Sequence, residues 1–156
     1  MTVIVIRIYK TDDARPLADL FRRSVREIAR KDYSADQLAA WAPDETDLAR
    51  FHAMRSTKPT FVAEIGGAVA GFTDLEPDGH IDMLFVHPDF QRRGVAKSLI
   101  EHVVELARTT GIKHLTVEAS ITARPLFERQ GFHVVNEQTV EVNGAQFLNY
   151  RMERLL

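Results

Sequence analysis

The sequence of 156 residues contains no cysteine, and this absence excludes several kinds of site. Without thiols, the chain cannot form disulfides, thiolate-ligated metal centres or a covalent thioester with a transferred acyl group. A chain that does without disulfides is compatible with the cytosol, and we expect a cytoplasmic protein.

The sequence also lacks a large net charge and long apolar segments. Its formal net charge at pH 7 is -2, whereas a general nucleic-acid binder usually carries a basic excess, so we expect no nucleic-acid partner. No apolar run approaches the roughly 18 residues of a membrane span, and the first ten residues, MTVIVIRIYK, are not typical of a signal peptide. We therefore expect no membrane association. Repeats and Gly/Ser-rich linkers are also missing, which predicts one domain over residues 1–156.

Helical periodicity occurs twice in the first third of the chain. Apolar residues recur at helical spacing after Asp12 and Asp13, which are suitable N-cap residues for a first helix. Ser34 and Gln37 form a capping-box pattern for a second helix. Pro43 interrupts that helix, and a further turn or two follows.

Strand-like segments dominate the rest of the sequence. Two strands meet at Gly66–Gly67, and residues 80–86, HIDMLFV, predict a further strand before a long helix that ends at Gly111. A strand and a short helix follow, and the pair Asn143–Gly144 predicts a closing hairpin. The predicted order is β-α-α-β-β-β-α-β-α-β-β, an α/β (α+β) domain with a mixed sheet flanked by helices.

Residues 91–97, QRRGVAK, stand between the predicted strand and the long helix. The N-terminus of a helix presents unpaired N–H groups and a partial positive charge. Gly94 permits a positive φ and a close approach of the backbone to a ligand, and Ala96 is also small. Together with the basic side chains, these features favour a pyrophosphate or similar anion. A solvated turn would have a similar sequence, and neither GxxxxGK[ST] nor GxGxxG is present.

Three features together resemble the GNAT superfamily of acyl-CoA N-acyltransferases. QRRGVA matches the pyrophosphate-loop pattern Gln/Arg-x-x-Gly-x-Gly/Ala, the preceding LFVHPDF is similar to the family's fourth strand, and SITARPLFERQGF at residues 120–132 is similar to its last helix. The segments ASITARPLFERQGF and FLNYRM also resemble the YafP-like branch. The resemblance extends in element order over nearly the whole chain and implies a GNAT fold with a mixed, mostly antiparallel sheet.

The resemblance implies acetyl-CoA as co-substrate. The main chain of residues 84–86 would hold the pantetheine arm, and the amides of residues 92–97 would hold the diphosphate. Ser120 stands where the family often has an asparagine. The implied coenzyme A residues are Leu84, Phe85, Val86, Gln91, Arg92, Arg93, Gly94, Val95, Ala96, Lys97, Ser120 and Phe127.

Aminolysis of a thioester requires a neutral amine, so a general base is expected. His80 aligns with a catalytic glutamate of histone-type relatives, and Asp82 would share its face of the strand. Alternatively, His80 merely follows a turn and Asp82 is a solvated carboxylate. Phe127 occupies the position of the tyrosine that commonly protonates the leaving thiolate, and Tyr150 is a candidate substitute. No third metal ligand is evident beside His80 and Asp82, so we expect no metal site.

On the acceptor side, Tyr33, Trp41 and His52 are candidate lining residues, although Trp41 also has the spacing of a core residue. The acceptor would be a small-molecule amine or a protein or peptide amine. We predict direct acetyl transfer from acetyl-CoA to a primary amine by a monomer or homodimer. The alternative is a non-catalytic acyl-CoA-binding sensor or regulatory module, which is suggested by Phe127 in place of the usual tyrosine.

Overall fold

The computed structural model describes residues 2–156, which form five α-helices and eight strands. The helices are α1 (Ala14–Ile28), α2 (Ala35–Trp41), α3 (Leu48–Ser56), α4 (Val95–Thr109) and α5 (Arg124–Arg129). The strands are β1 (Val5–Ile8), β2 (Thr60–Ile65), β3 (Ala68–Asp74), β4 (His80–Ile81), β5 (Leu84–Val86), β6 (His114–Ser120), β7 (His133–Val142) and β8 (Ala145–Leu155). Among these residues, no helix is both long and apolar enough to cross a membrane.

The strands form two four-stranded sheets, which corrects the prediction of one mixed sheet. Within the described residues, the first sheet has the order β1-β2-β3-β5 and is antiparallel throughout. The second has the order β4-β6-β8-β7, in which β4 and β6 pair in parallel and the other pairs are antiparallel. The mostly antiparallel pairing and the flanking helices are confirmed. The strand predicted over residues 80–86 is in fact two strands, one in each sheet.

A buried carboxylate causes the division between β4 and β5. Asp74, at the end of β3, accepts hydrogen bonds from the backbone N–H of Asp82 at 2.7 Å and from that of Met83 at 3.1 Å. A continuous strand would give such N–H groups to a neighbouring strand, and here a side chain takes them. The chain therefore leaves the second sheet at Ile81 and joins the first at Leu84.

Helix α4 packs on both sheets and so fixes the position of its own N-terminus. Val95 and Leu99 pack against the first sheet, while Ile100 and Val103 belong to a cluster with residues of the second. The first contact is close, because a Cβ on Gly71 of β3 would lie 2.8 Å from Val95 Cγ1. Glycine at this position therefore allows the first turn of α4 to lie directly on the sheet.

The local signals at helix ends are partly confirmed. Gln37 N donates to Ser34 Oγ at 3.2 Å and Ser34 N donates to Gln37 Oε1 at 2.8 Å, so the predicted capping box is formed. The prediction that the aspartates cap α1 is wrong for Asp13. Its buried carboxylate instead accepts two hydrogen bonds from Arg7 and one from the backbone of Lys10.

Candidate active site

The turn before α4 combines an unusual backbone with free helical amides. Arg92 has φ 61° and Gly94 has φ 83°, both in the left-handed region. A non-glycine residue in that region is uncommon and is often found at functional sites. The hydrogen bond from Ser98 N to Gly94 O, at 2.9 Å, closes the first turn of α4. The N–H groups of residues 95–97 therefore project from the helix N-terminus, next to the exposed side chains of Arg92 and Arg93.

A gap separates the two sheets beside this turn. Strand β5 pairs with β3, and within residues 2–156 its other edge has no strand partner. Strand β6 pairs with β4 at Thr116 and Val117 and then continues alone on that side to Ser120. A cavity of about 320 Å³ lies in the gap. Its walls include Leu84, Phe85, Val86, Gln91, Arg92 and Ser120, together with residues of α1 and α5.

A second cavity, of about 460 Å³, adjoins the first. Its walls are mainly apolar and include several aromatic rings, with the ring of Trp41 in edge contact with Tyr33 and Phe147 at centroid distances of 5.7 and 6.1 Å. Among the described residues, no Lys, Arg or His lines this cavity. Five residues line both cavities: Trp41, Leu84, Phe85, Ser120 and Ala123.

Asp82 is one of two carboxylates at the wall of the second cavity. Its Oδ2 accepts a hydrogen bond from Arg55 at 2.9 Å and lies 3.3 Å from Lys58 Nζ. Burial alone would raise the pKa of Asp82, but the hydrogen bond from Arg55 and the charge of Lys58 outweigh it and lower the pKa below its ordinary value. Asp82 is therefore a firmly ionised group and a weak base.

Glu118 is the other carboxylate at this wall, and it is linked to His80. The ring nitrogens of His80 lie 2.6 Å from Glu76 Oε1 and 2.5 Å from Glu118 Oε2. Burial alone would lower the pKa of His80, but the two carboxylates outweigh it and raise the pKa above the ordinary imidazole value. The three side chains form one hydrogen-bonded unit, and Glu118 is the member of it that lines the cavity.

Asn149, on β8, contributes a further hydrogen-bond acceptor to the second cavity. Its Oδ1 atom is buried and has no hydrogen-bond partner within residues 2–156. Buried polar atoms in folded proteins nearly always have a partner. This oxygen is therefore available to a donor on a bound molecule.

Comparisons with known proteins agree on one family. Residues 29–154 match the model of the acetyltransferase (GNAT) domain. The N-acetyltransferase YafP of Escherichia coli is 40% identical over 152 residues, which cover 97% of this chain and 96% of that protein. The chain belongs to the GNAT acetyltransferase family. It is thus an N-acetyltransferase, as predicted, and the predicted relation to YafP is confirmed.

Solved GNAT structures have the same fold. The GCN5-related N-acetyltransferase from Rhodopseudomonas palustris has a TM-score of 0.96 and 36% identity, with 100% of this chain and 98% of that chain covered. The PaiA N-acetyltransferase from Thermoplasma acidophilum, solved in complex with coenzyme A, has a TM-score of 0.78 and 16% identity, with 99% of each chain covered. At 16% identity, the similarity to PaiA shows only that the two proteins share a fold.

The GNAT fold brings most of the predicted coenzyme A residues to one side of the molecule. Leu84, Phe85, Val86, Gln91, Arg92 and Ser120 line the first cavity. Arg93, Gly94, Ala96 and Lys97 lie in the turn and in the first turn of α4. The side chain of Val95 is buried in the core, so only its backbone can reach a ligand. The roles of these residues stay predictions.

The predicted geometry of His80 and Asp82 needs correction. They do not share a face of one strand, because β4 ends at Ile81 and Asp82 lies in the link to β5. Asp82 lines the second cavity, whereas His80 is not among the described residues that line it. Glu118 was not predicted from the sequence. It lies two residues before Ser120 on β6, and this period-two spacing was the available signal.

Phe127 and Tyr150 differ in their relation to the cavities. Phe127 lines the second cavity and packs on Phe132 with ring centroids 5.1 Å apart. Tyr150 lines neither of the two cavities within the described chain, and the Arg124 guanidinium lies 4.5 Å from its ring centroid. Adjacent residues of a strand face opposite ways, so Asn149 rather than Tyr150 meets the cavity.

The three predicted acceptor-side residues are separated by the fold. Tyr33 and Trp41 line the second cavity, and the Tyr33 hydroxyl also accepts a hydrogen bond from Ile121 N at 2.9 Å. His52 does not reach it and instead lies 2.8 Å from the Tyr9 hydroxyl in a separate cavity. The reason is that His52 lies on α3, a separate helix after Pro43, which packs on the first sheet through Phe51.

Proposed function

We propose that this GNAT protein transfers an acetyl group from acetyl-CoA to a primary amine, directly, within a ternary complex. The observation that carries the proposal is the pair of adjoining cavities. One reaches the turn before α4 and the other carries two carboxylates, so two substrates can meet at Leu84, Phe85 and Ser120. The chain has no cysteine to carry an acetyl group between them.

The first cavity and the turn fit coenzyme A. Amides at a helix N-terminus, with Arg92 beside them, suit a diphosphate. The unpaired edge of β5 offers backbone donors and acceptors to an amide-containing arm such as pantetheine. Coenzyme A is also the ligand found in the PaiA structure. When bound, acetyl-CoA would supply the activated acyl group.

The second cavity fits an amine that arrives as a cation. Its polar acceptors include the carboxylates of Asp82 and Glu118 and the oxygen of Asn149, and its remaining walls are mainly apolar or aromatic. Such a lining favours an ammonium group over an anion. The acceptor is thus a small-molecule amine or a peptide or protein amine.

The test is release of free thiol from acetyl-CoA in the presence of a panel of primary amines, with the product masses measured. We expect thiol release that depends on the amine and a mass increase of one acetyl group. A chain that binds acetyl-CoA tightly in calorimetry, yet releases no thiol with any amine or peptide, would instead be the acyl-CoA sensor that Phe127 suggests.

Replacement of Asn149 by Leu should separate stability from amine binding. We expect the free energy of unfolding of the ligand-free protein to rise by about 1 kcal/mol, because a buried acceptor without a partner is removed. The KM for the amine should rise by about five- to tenfold, the loss of one hydrogen bond. Melting curves and steady-state kinetics measure both effects. Asn136→Leu, on exposed β7, is the control. A less stable Asn149→Leu protein with an unchanged KM would contradict the assignment.

A further inference from the structure

Glu118 is placed to act on the amine of the proposed reaction. It lies on β6 and lines the second cavity, two residues from Ser120, which lines both cavities. Its side chain is about half exposed, at 46%, and one oxygen faces His80 Nε2. Glu118 therefore lies between the cavity and a half-buried imidazole that can carry a proton.

His80 and Glu76 hold Glu118 from behind. His80 pairs with Thr116 across the parallel β4–β6 ladder, which fixes the imidazole beside the next outward-facing residue of β6. Glu76 occupies the other ring nitrogen, so the ring cannot turn without losing a hydrogen bond. Charged groups from other elements complete the surroundings: Asp78, whose Oδ1 accepts from His80 N, Lys58 near Glu76, and Arg151 opposite Glu118 on β8.

We propose that Glu118 accepts the proton of the acceptor ammonium and that the His80–Glu76 pair positions its carboxylate and takes up the added charge. This inference rests on the proposed function. Glu118 is then the catalytic base, and His80 and Glu76 are positioning residues. Asp82, paired with Arg55 and Lys58, serves to attract the cation and not to deprotonate it.

The proton balance of the step is complete. One proton of the ammonium passes to the Glu118–His80 unit, and the free amine nitrogen bonds to the acetyl carbon as the carbon–sulfur bond breaks. The second proton of the nitrogen is lost as the amide forms and goes to the leaving thiolate. The unit then returns its proton to solvent. The step therefore needs no proton donor at residue 127, where phenylalanine has none to give.

The expected kinetic result is a loss of turnover without a loss of cofactor binding. Glu118→Gln keeps the shape and a hydrogen bond to His80 but accepts no proton, so kcat should fall by about 100-fold or more. The dissociation constant for acetyl-CoA should stay within about twofold. Glu105→Gln, on the exposed face of α4, is the matched control and should retain wild-type kinetics. Melting curves of both variants check folding, and Glu118→Asp, which keeps a carboxylate, should retain more activity than Glu118→Gln.

The pH profile tests the positioning role separately. The unit must be unprotonated to act, so wild-type kcat/KM should rise with pH, with a midpoint above the ordinary imidazole value of about 6.5. In His80→Gln the midpoint should fall below the wild-type value, because the imidazole no longer takes up the proton, and Glu76→Gln should lower it by a smaller amount. A loss of structure alone would lower the rates without moving the midpoint.

Three outcomes overturn this inference. Wild-type protein that turns over while Glu118→Gln keeps more than half of its kcat refutes the base assignment and leaves the proposed function intact. An unchanged midpoint in His80→Gln refutes the positioning role. Failure of the wild type to release thiol with any amine, despite binding acetyl-CoA, overturns the proposed function and this inference together.

Discussion

Replacement of Asp74 by Leu should lower the free energy of unfolding by about 3–5 kcal/mol, because it removes the fully buried one of the two carboxylates that pair with the buried Arg55 guanidinium. Arg55 and Asp74 are almost fully buried, with side-chain exposures of 2% and 0%, and their atoms Nη1 and Oδ2 lie 2.9 Å apart. The same change orphans the backbone N–H groups of Asp82 and Met83. Urea unfolding at pH 7.5 measures the loss, and the melting temperature should fall by on the order of 10 °C.

The control for this prediction is a surface pair on α1. Asp19 accepts a hydrogen bond from Arg22 at 2.8 Å, but both side chains are partly exposed, so Asp19→Leu should cost no more than about 1 kcal/mol. A loss below about 1 kcal/mol in Asp74→Leu would show that the pair does not stabilise the division between β4 and β5.

The stability of an Arg55→Met variant should depend on pH. Burial raises the pKa of Asp74 to about 6 in the wild type, and loss of the guanidinium, which lowers it, should raise it further. A carboxyl whose folded-state pKa exceeds its unfolded value makes the folded state less stable as pH rises between the two values. The decrease in the free energy of unfolding caused by Arg55→Met should therefore be larger at pH 8 than at pH 5. An equal penalty at both values, measured by urea unfolding, would contradict this.

The sequence predicted those features of the fold that depend on neighbouring residues. The helices and most strands follow from periodicity, and the capping box of Ser34 and Gln37 needs only residues three apart. The turn before α4 was also predicted correctly as to position, since Gly94 and the adjoining strand and helix are consecutive. These signals are short-range, so a single sequence contains them.

The features that were missed depend on residues far apart in the chain. The division of the strand over residues 80–86 depends on Asp74, and Asp74 in turn on Arg55, 19 residues earlier. The contact of His80 with Glu118 spans 38 residues and exists because β4 pairs in parallel with β6. The prediction of a single strand over residues 80–86 left no separate β4 to pair with β6. The β4–β6 pairing and the contact of His80 with Glu118 therefore could not be predicted from local signals.

Substitution of Gly94 by Glu should weaken coenzyme A binding by about 10- to 100-fold, which corresponds to about 1.4–2.8 kcal/mol. The reason is local charge: a carboxylate at the N-terminus of α4 would stand where we propose that the diphosphate binds, and it would itself be attracted to the free amides there. The space around Gly94 is open, since a Cβ at this residue would lie 4.0 Å from Ile4 Cδ1, so steric overlap is not the cause. Calorimetric titration with coenzyme A measures the loss.

Gly144→Glu is a closely matched control for this substitution. Gly144 has φ 83°, the same as Gly94, and nothing lies within 4 Å of a Cβ built there. Both variants therefore carry the same added charge and a similar backbone strain, of about 1–2 kcal/mol for a side chain in the left-handed region. They differ in position, because Gly144 lies in the turn between β7 and β8. Equal affinities for coenzyme A in the two variants would mean that the diphosphate does not bind at α4. A loss confined to Gly94→Glu would locate it there, since strain and charge are common to both.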